Sequence, residues 1–344
     1  MKAAVLHGKH ELTVENVPDA VIREPGDAVV RVVAAGICGT DLHGYHGLPG
    51  PVTGPRCGHE FVGVVEDIGS EVSTLRRGTM VVAPFNFADG TCPPCRTGLH
   101  SACAAGGMFG VDGDGAQAEA VRVPFADATL VAVPVDRNDE RLPSLLALTD
   151  SMATGLHAVR TGRVAPGSTV AVLGDGPVGM CAVLAAGEAG AGRIILVGRH
   201  ETRLGKGRDF GATDTLQARG PESGAESVDF VRTITQGLGA DVVVECGGGP
   251  PAQNTAFALC RTGGTVCVMG GPPIGDVTPV FFRGITLTGG LTPARVYLPE
   301  LVDRVLAGTL DPGPIFDEVV ALDDIVSGYE AMAARTATKV LVRP

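Results

Sequence analysis

The stretch TVAVLGDGPVGMCAVLAA, residues 169–186, constrains this chain more than any other. A short apolar strand pattern runs into the turn Gly174-x-Gly176-x-x-Gly179, and a helical pattern follows. In such a turn the first glycine permits the bend and the second lets backbone approach a pyrophosphate. The third lets the helix pack on the strand. The helix that opens with Pro177, Val178 and Gly179 then offers N–H donors and a positive dipole end to phosphate. A three-glycine turn alone is common. Its weight here comes from the residues after it: a strand at 193–197, a helix at 201–210, a strand at 240–245, a helix at 251–260 and a strand at 264–269. Strand and helix alternate at the spacing of βαβ units, which predicts a doubly wound parallel sheet with helices on both faces.

The chain ahead of this region has a different rhythm. Residues 29–34, 61–65, 80–82 and 120–123 are β-rich runs of a few residues bounded by Gly, Pro or Asp, and the opening MKAAVLHGKHELTV reads as a strand. Fifty glycines and 24 prolines, mostly between short apolar runs, fit many tight strand connections. Helices are expected near 298–307 and 322–335, then a last strand at 338–342 that pairs back into the first domain. The organisation is therefore 1–150 plus 292–344 as one β-rich domain, with 151–291 as an inserted dinucleotide-binding domain. A length of 344 residues suffices for two cores. The fold class is α/β.

Charge narrows the partners. A net charge of −11 leaves no basic stripe for nucleic acid or an anionic membrane surface. The most apolar stretch, 170–197, is broken by Asp175, Glu188 and Arg193 and does not read as a membrane span. No long apolar run opens the chain, and nine cysteines, an odd number, favour thiols and metal ligands over disulfides. The expected setting is the cytoplasm and the expected partner a small molecule.

The second strand of the inserted domain ends IILVGRHETR. An acid at that end would hydrogen-bond the ribose hydroxyls of NAD. Gly198 stands there instead, followed by Arg199 and His200, with Arg203 a helical turn further. A missing carboxylate removes repulsion toward a 2′-phosphate, and arginine can bind phosphate with two N–H groups, so NADP is expected over NAD.

Two stretches of the first domain carry metal-ligand types: GICGTDLHGYHG, 36–47, with Cys38, and GHEFVGVV, 58–65, with His59. With a third, carboxylate ligand they would form a zinc site with one position open, the arrangement of a catalytic centre. Taken alone, each is equally a core thiol or a satisfied core histidine. DGTCPPCRTGLHSAC, 89–103, holds a further C-x2-C-x7-C cluster, one ligand short of a structural zinc site. Cys57 reads as packing, and Cys181, Cys246, Cys260 and Cys267 as buried thiols.

GICGTDLH, GHEFVGVVEDIGS and LTDSMATGLHA, with EPGDAVVRV near the start and ATKVLV at the end, resemble the zinc-dependent medium-chain alcohol dehydrogenases over essentially the whole chain. The resemblance implies a GroES-like catalytic domain followed by a Rossmann domain, with the active site in the cleft between them. It implies that Cys38, His59 and Asp150 ligate the catalytic zinc and that Glu60 binds it in some states. It implies that Thr40 takes the substrate hydroxyl proton, that His43 passes it to water and that Asp41 orients the ligand histidine. Thr154 would lie against the nicotinamide, with the backbone of 268–270, centred on Met269, at its carboxamide. Family members often carry a second zinc in a C-x2-C-x2-C-x7-C loop. Laid over this chain, that pattern makes Asp89, Cys92, Cys95 and Cys103 the structural ligands. The implied function is hydride transfer between NADP(H) and an alcohol/carbonyl pair in a homodimer or homotetramer. The substrate resembles those of the polyol, secondary-alcohol and threonine dehydrogenase branches. A zinc-free enone reductase of the same superfamily and a catalytically silent NADP-binding protein are the rival expectations.

Overall fold

The computed structural model describes residues 1–48, 56–220, 222–272 and 275–344. Its contacts divide the chain into two compact units, 1–150 with 293–344, and 151–292.

The first unit opens with β1 (Lys2–Gly8) and β2 (Glu11–Asn16), antiparallel partners. The expected single opening strand is thus a hairpin. Its turn holds His10 at a positive φ of 62°, a conformation that apolar–polar alternation does not signal. The long strand β3 (Ala28–Ile37) runs into helix α1 (Gly39–Tyr45). Then come β4 (Glu60–Ile68), β5 (Met80–Ala83), β6 (Asn86–Phe87), the short helix α2 (Pro93–Arg96), β7 (Gly107–Met108) and β8 (Ala120–Val123). Helix α3 (Ala126–Thr129), β9 (Val131–Ala132) and helix α4 (Leu142–Ala147) complete the first segment. β3 pairs antiparallel with both β4 and β8, so its Val30, Val32 and Ile37 enter a core that includes Phe61 and Phe109. The rings of Phe61 and Phe109 stand edge to face at 5.1 Å.

The second unit begins with α5 (Ser151–Thr161) and β10 (Thr169–Leu173), followed by α6 (Pro177–Glu188), β11 (Arg193–Gly198), α7 (Glu201–Asp209) and β12 (Asp214–Gln217). It continues with α8 (Ser223–Ile234), β13 (Ala240–Glu245), α9 (Gly249–Leu259), β14 (Cys260–Val268), α10 (Thr278–Arg283) and β15 (Thr286–Gly289). The six strands are all parallel, in the order β12-β11-β10-β13-β14-β15. β10 and β13 are buried on both faces, which is why they read as unbroken apolar runs. The strand order reverses at β10 beside β13, the switch point where doubly wound sheets bind ligands. The short, half-exposed β12 and β15 escaped the sequence reading because each lacks a strong apolar period; α8 escaped it too, although its Val228, Val231 and Ile234 recur at helical spacing and pack on the core of this unit.

The closing segment returns to the first unit with α11 (Ala294–Leu306), β16 (Glu318–Ala321), α12 (Ile325–Ala333) and β17 (Val340–Arg343). β17 lies between β16 and β3, antiparallel to β3. Among the described residues no helix is long and apolar enough to cross a membrane.

Candidate metal centres and dinucleotide cradle

Cys38 follows β3 and caps α1, His59 precedes β4 and Glu60 opens it, and Asp150 lies between α4 and α5. Potential ligand atoms of these four residues lie within 4.8 Å of one another. Cys38 Sγ and His59 Nε2 are each 3.5 Å from Asp150 Oδ2. Thiolate, imidazole and carboxylate bound tetrahedrally to one zinc stand roughly 3.3–3.5 Å apart, so the spacing fits the ion. The orphaned atom fits it too. His59 Nε2 is buried and has no hydrogen-bond partner among the described residues.

A buried network sets that geometry. Asp41 Oδ1 lies 3.4 Å from His59 Nδ1, which turns Nε2 toward Cys38 and Asp150. Asp41 Oδ2 accepts the Cys38 N–H at 2.9 Å and Gln117 Nε2 at 3.1 Å. Gln117 is itself fixed, donating to Gly36 O and accepting the Tyr329 hydroxyl at 2.7 Å. Two donors converge on Asp41 Oδ2, while Oδ1 faces the His59 ring as an ion-pair partner. The Glu60 carboxylate meets Lys339 Nζ at 2.7 Å, both residues almost wholly buried. Burial works against the Lys339 charge, and Glu60 overrides it, raising the ammonium above the usual lysine range. Burial pushes the Cys38 thiol up, and the neighbouring Asp150 and Glu60 add to the shift. Burial opposes a charge on His59, yet Asp41 and Cys38 hold the ring well above the usual histidine range. Groups prone to negative charge around one basic ring nitrogen make a natural cation site. Thr40 Oγ1 lies 3.8 Å from Cys38 Sγ, and His43 is exposed on α1.

The lobe gathers its ligand atoms from a single loop. Asp89, Cys92, Cys95 and Cys103 also lie within 4.8 Å of one another. Cys92 and Cys103 sulfurs are 3.7 Å apart, close to the roughly 3.8 Å of two thiolates on a tetrahedral zinc. Asp89 Oδ1 accepts the N–H groups of Cys92 and Thr91 at 2.9 and 2.8 Å, which holds its acid far below the usual carboxylate range. Burial, with Cys92 and Cys103 beside it, pushes the Cys95 thiol up to about 12. Cys57 is buried and stands outside both clusters.

In the second unit, Gly174 sits at φ +117°, open to glycine, and a Cβ on Gly179 would stand 1.9 Å from Gly174 O. A Cβ on Gly176 would meet nothing within 4 Å, so the middle of the turn is the open place where phosphate can approach. Glu245, fully buried at the end of β13, accepts the Gly247 and Gly248 N–H groups, both at 2.6 Å. Met269 N–H donates to Glu245 O at 2.8 Å, tying the end of β14 to β13. Thr154 is buried on α5. Arg199 is exposed after β11, and Arg203 is buried on α7. Arg219 Nε donates to Arg199 O at 2.7 Å, placing a second guanidinium at this corner that the sequence reading did not single out. Asp175 Oδ2 accepts the backbone N–H groups of Arg199 and His200 at 2.7 and 2.8 Å, and lies 3.0 Å from His200 Nδ1.

Residues 24–135 match the alcohol dehydrogenase GroES-like domain, and residues 177–307 match the zinc-binding dehydrogenase domain. A probable zinc-binding alcohol dehydrogenase of Mycobacterium tuberculosis is 36% identical over 98% of this chain and 86% of its own length. An L-threonine 3-dehydrogenase of Bacillus velezensis is 31% identical, over 96% of this chain and 95% of that protein. A zinc-binding dehydrogenase of Sinorhizobium meliloti 1021, solved bound to NADP, superposes with a TM-score of 0.84 at 30% identity. That match covers 100% of this chain and 99% of that one. A GroES-like domain joined to a parallel-sheet domain, with ligand clusters at zinc spacing, is the plan of an oxidoreductase. The chain belongs to the zinc-dependent medium-chain alcohol dehydrogenase family.

Proposed function

We propose that this chain oxidises a small polar alcohol, or reduces its carbonyl partner, with NADP(H) preferred over NAD(H) and a zinc ion held by Cys38, His59 and Asp150. The observation that carries this reading is the placement of Cys38 Sγ and His59 Nε2 at 3.5 Å from Asp150 Oδ2, around an otherwise unpartnered ring nitrogen. When bound, zinc supplies a Lewis acid that eases loss of an alcohol proton, and the dinucleotide supplies the hydride acceptor. Thr40, beside Cys38, would receive that proton, and exposed His43 would return it to water; the nearness of Thr40 to Cys38 and the exposure of His43 support these roles. Asp41 orients His59, and Lys339 balances the charge of Glu60 so that its carboxylate can stay beside the ligands. Asp89, Cys92, Cys95 and Cys103 would hold a second, structural zinc, a role that their ligand atoms within 4.8 Å of one another support.

The NADP preference is supported by Gly198, which brings no acid to the end of β11, and by the Arg199 and Arg219 guanidinia there. The threonine dehydrogenase relative supports a secondary alcohol, polyol or amino alcohol as substrate. Nine cysteines with no disulfide among them suit a reducing, cytoplasmic setting. A second copy of the chain is the proposed partner. β15 pairs only with β14 among the described residues, and Phe281 and Phe282 nearby in sequence are 83% and 77% exposed.

The test combines metal analysis with oxidation of a panel of secondary alcohols, polyols and amino alcohols, using NADP and NAD. Zinc-dependent turnover supports the reading. Double-bond reduction without zinc would move the chain to the enone reductases, and cofactor binding without turnover would make it a silent binder. Arg199→Ala should raise the KM for NADP about tenfold while changing that for NAD far less. Equal effects on both would end the NADP assignment.

A further inference from the structure

Asp175 occupies the variable position of the first glycine pair, and its side chain reaches across to the end of the neighbouring strand. A Cβ added to Gly198 would lie 2.5 Å from Asp175 Cβ, 2.6 Å from Oδ2 and 2.8 Å from Cγ. No side chain larger than hydrogen fits at 198 while Asp175 is present. The two residues are therefore one arrangement: the acid absent from the strand end is supplied from the glycine turn instead. Its carboxylate is nearly buried, 9% exposed, and one oxygen takes the N–H groups of Arg199 and His200. Successive N–H groups just ahead of a helix are what a phosphate seeks at this corner, and here a resident carboxylate already holds them. The Arg199, His200 and ring-nitrogen contacts all fall on Oδ2, and the other oxygen, Oδ1, is assigned here as the acceptor for a ribose hydroxyl.

We infer that Asp175 is a specificity-determining residue that holds NADP affinity down by occupying the anion-binding N–H groups after β11, and so keeps NAD usable by this enzyme. The inference rests on the reading that the glycine turn binds a nicotinamide dinucleotide whose 2′ position faces Arg199. Within that reading the corner is a balance. Arg199 and Arg219 draw a 2′-phosphate in, His200 is engaged by Asp175, and Asp175 repels the phosphate while accepting from an unmodified ribose.

The experiment measures Kd for NADPH and NADH, by nucleotide fluorescence on the zinc-loaded enzyme, for wild type, Asp175→Ser and Asp175→Asn. Asn keeps the size and loses the charge, and Ser empties the corner. Both variants should bind NADPH about tenfold more tightly, with NADH unchanged or weaker, so the ratio of the two Kd values moves toward NADPH. The NADPH gain should shrink between about 0.05 and 0.5 M salt, as a charge effect does and a packing effect does not. A ratio unchanged in both folded variants, or moved toward NADH, overturns the inference. A wild type that already prefers NADH would instead overturn the NADP preference, while the shift caused by removing Asp175 would still be read against it. If both single variants unfold, the pair Asp175→Gly with Gly198→Asp provides the remaining readout. With the acid returned to the strand end the fold should recover with NADH favoured, and an unfolded pair would refute the exchange between the two positions.

Discussion

The two ligand clusters have similar donors and opposite construction. The lobe draws Asp89, Cys92, Cys95 and Cys103 from one loop of fifteen residues, with backbone N–H groups of the same loop bracing Asp89. The other cluster joins Cys38 to Asp150 across 112 positions of sequence, and it is braced by side chains from still further away, Gln117 and Tyr329. The lobe can form wherever its loop closes on a metal. The second cluster exists only once β3, β4 and the segment after α4 have packed together. A local cluster suits a stabilising role, and a cluster fixed from several directions suits chemistry, which tolerates little misplacement.

That contrast can be broken by substitution. Cys38→Ser should lower turnover on the order of a thousandfold and remove about one zinc per chain, with the circular dichroism spectrum unchanged. The same loss from a lobe variant that stays folded would erase the distinction. Asp41→Ala leaves His59 without its orienting partner, and chelator competition should show about 10–100-fold weaker zinc at the first cluster with the lobe metal retained. Metal affinity equal to wild type would mean that β-sheet packing alone positions the ring. Asp89→Ala should have the smallest effect on chemistry, with kcat within about twofold, while thermal unfolding reports a loss of about 1–3 kcal/mol. Undiminished stability and metal content would show that the three cysteines suffice without it.

Legibility in the sequence followed the same contrast. The lobe ligands stand at fixed offsets, so counting back from Cys92 reaches Asp89, and the structure brings the four together. The glycine turn and the central strands β10 and β13 were readable because a twice-buried strand has an unmistakable apolar run. Cys38, His59 and Asp150 could be grouped only through resemblance, since nothing in spacing alone joins residues so far apart. Gln117 and Tyr329 left no sequence signal, and Lys339 stood within ATKVLV without a role, because a buried polar residue looks like a surface one until its partners are known. Gly198 shows the same limit in reverse. Its lack of an acid was visible, but the carboxylate that crosses from Asp175 to fill the space was not.

The placement of β17 has a consequence for the order in which the molecule is made. Lys339, just before β17, neutralises Glu60 from 279 positions away, and β17 itself is an inner strand against β3. A ribosome therefore releases the whole parallel-sheet unit before it has made the residues that complete the sheet behind Cys38 and His59. The parallel-sheet unit can fold during synthesis, whereas the first unit keeps its open strand edge and its unbalanced Glu60 until Lys339 and β17 emerge.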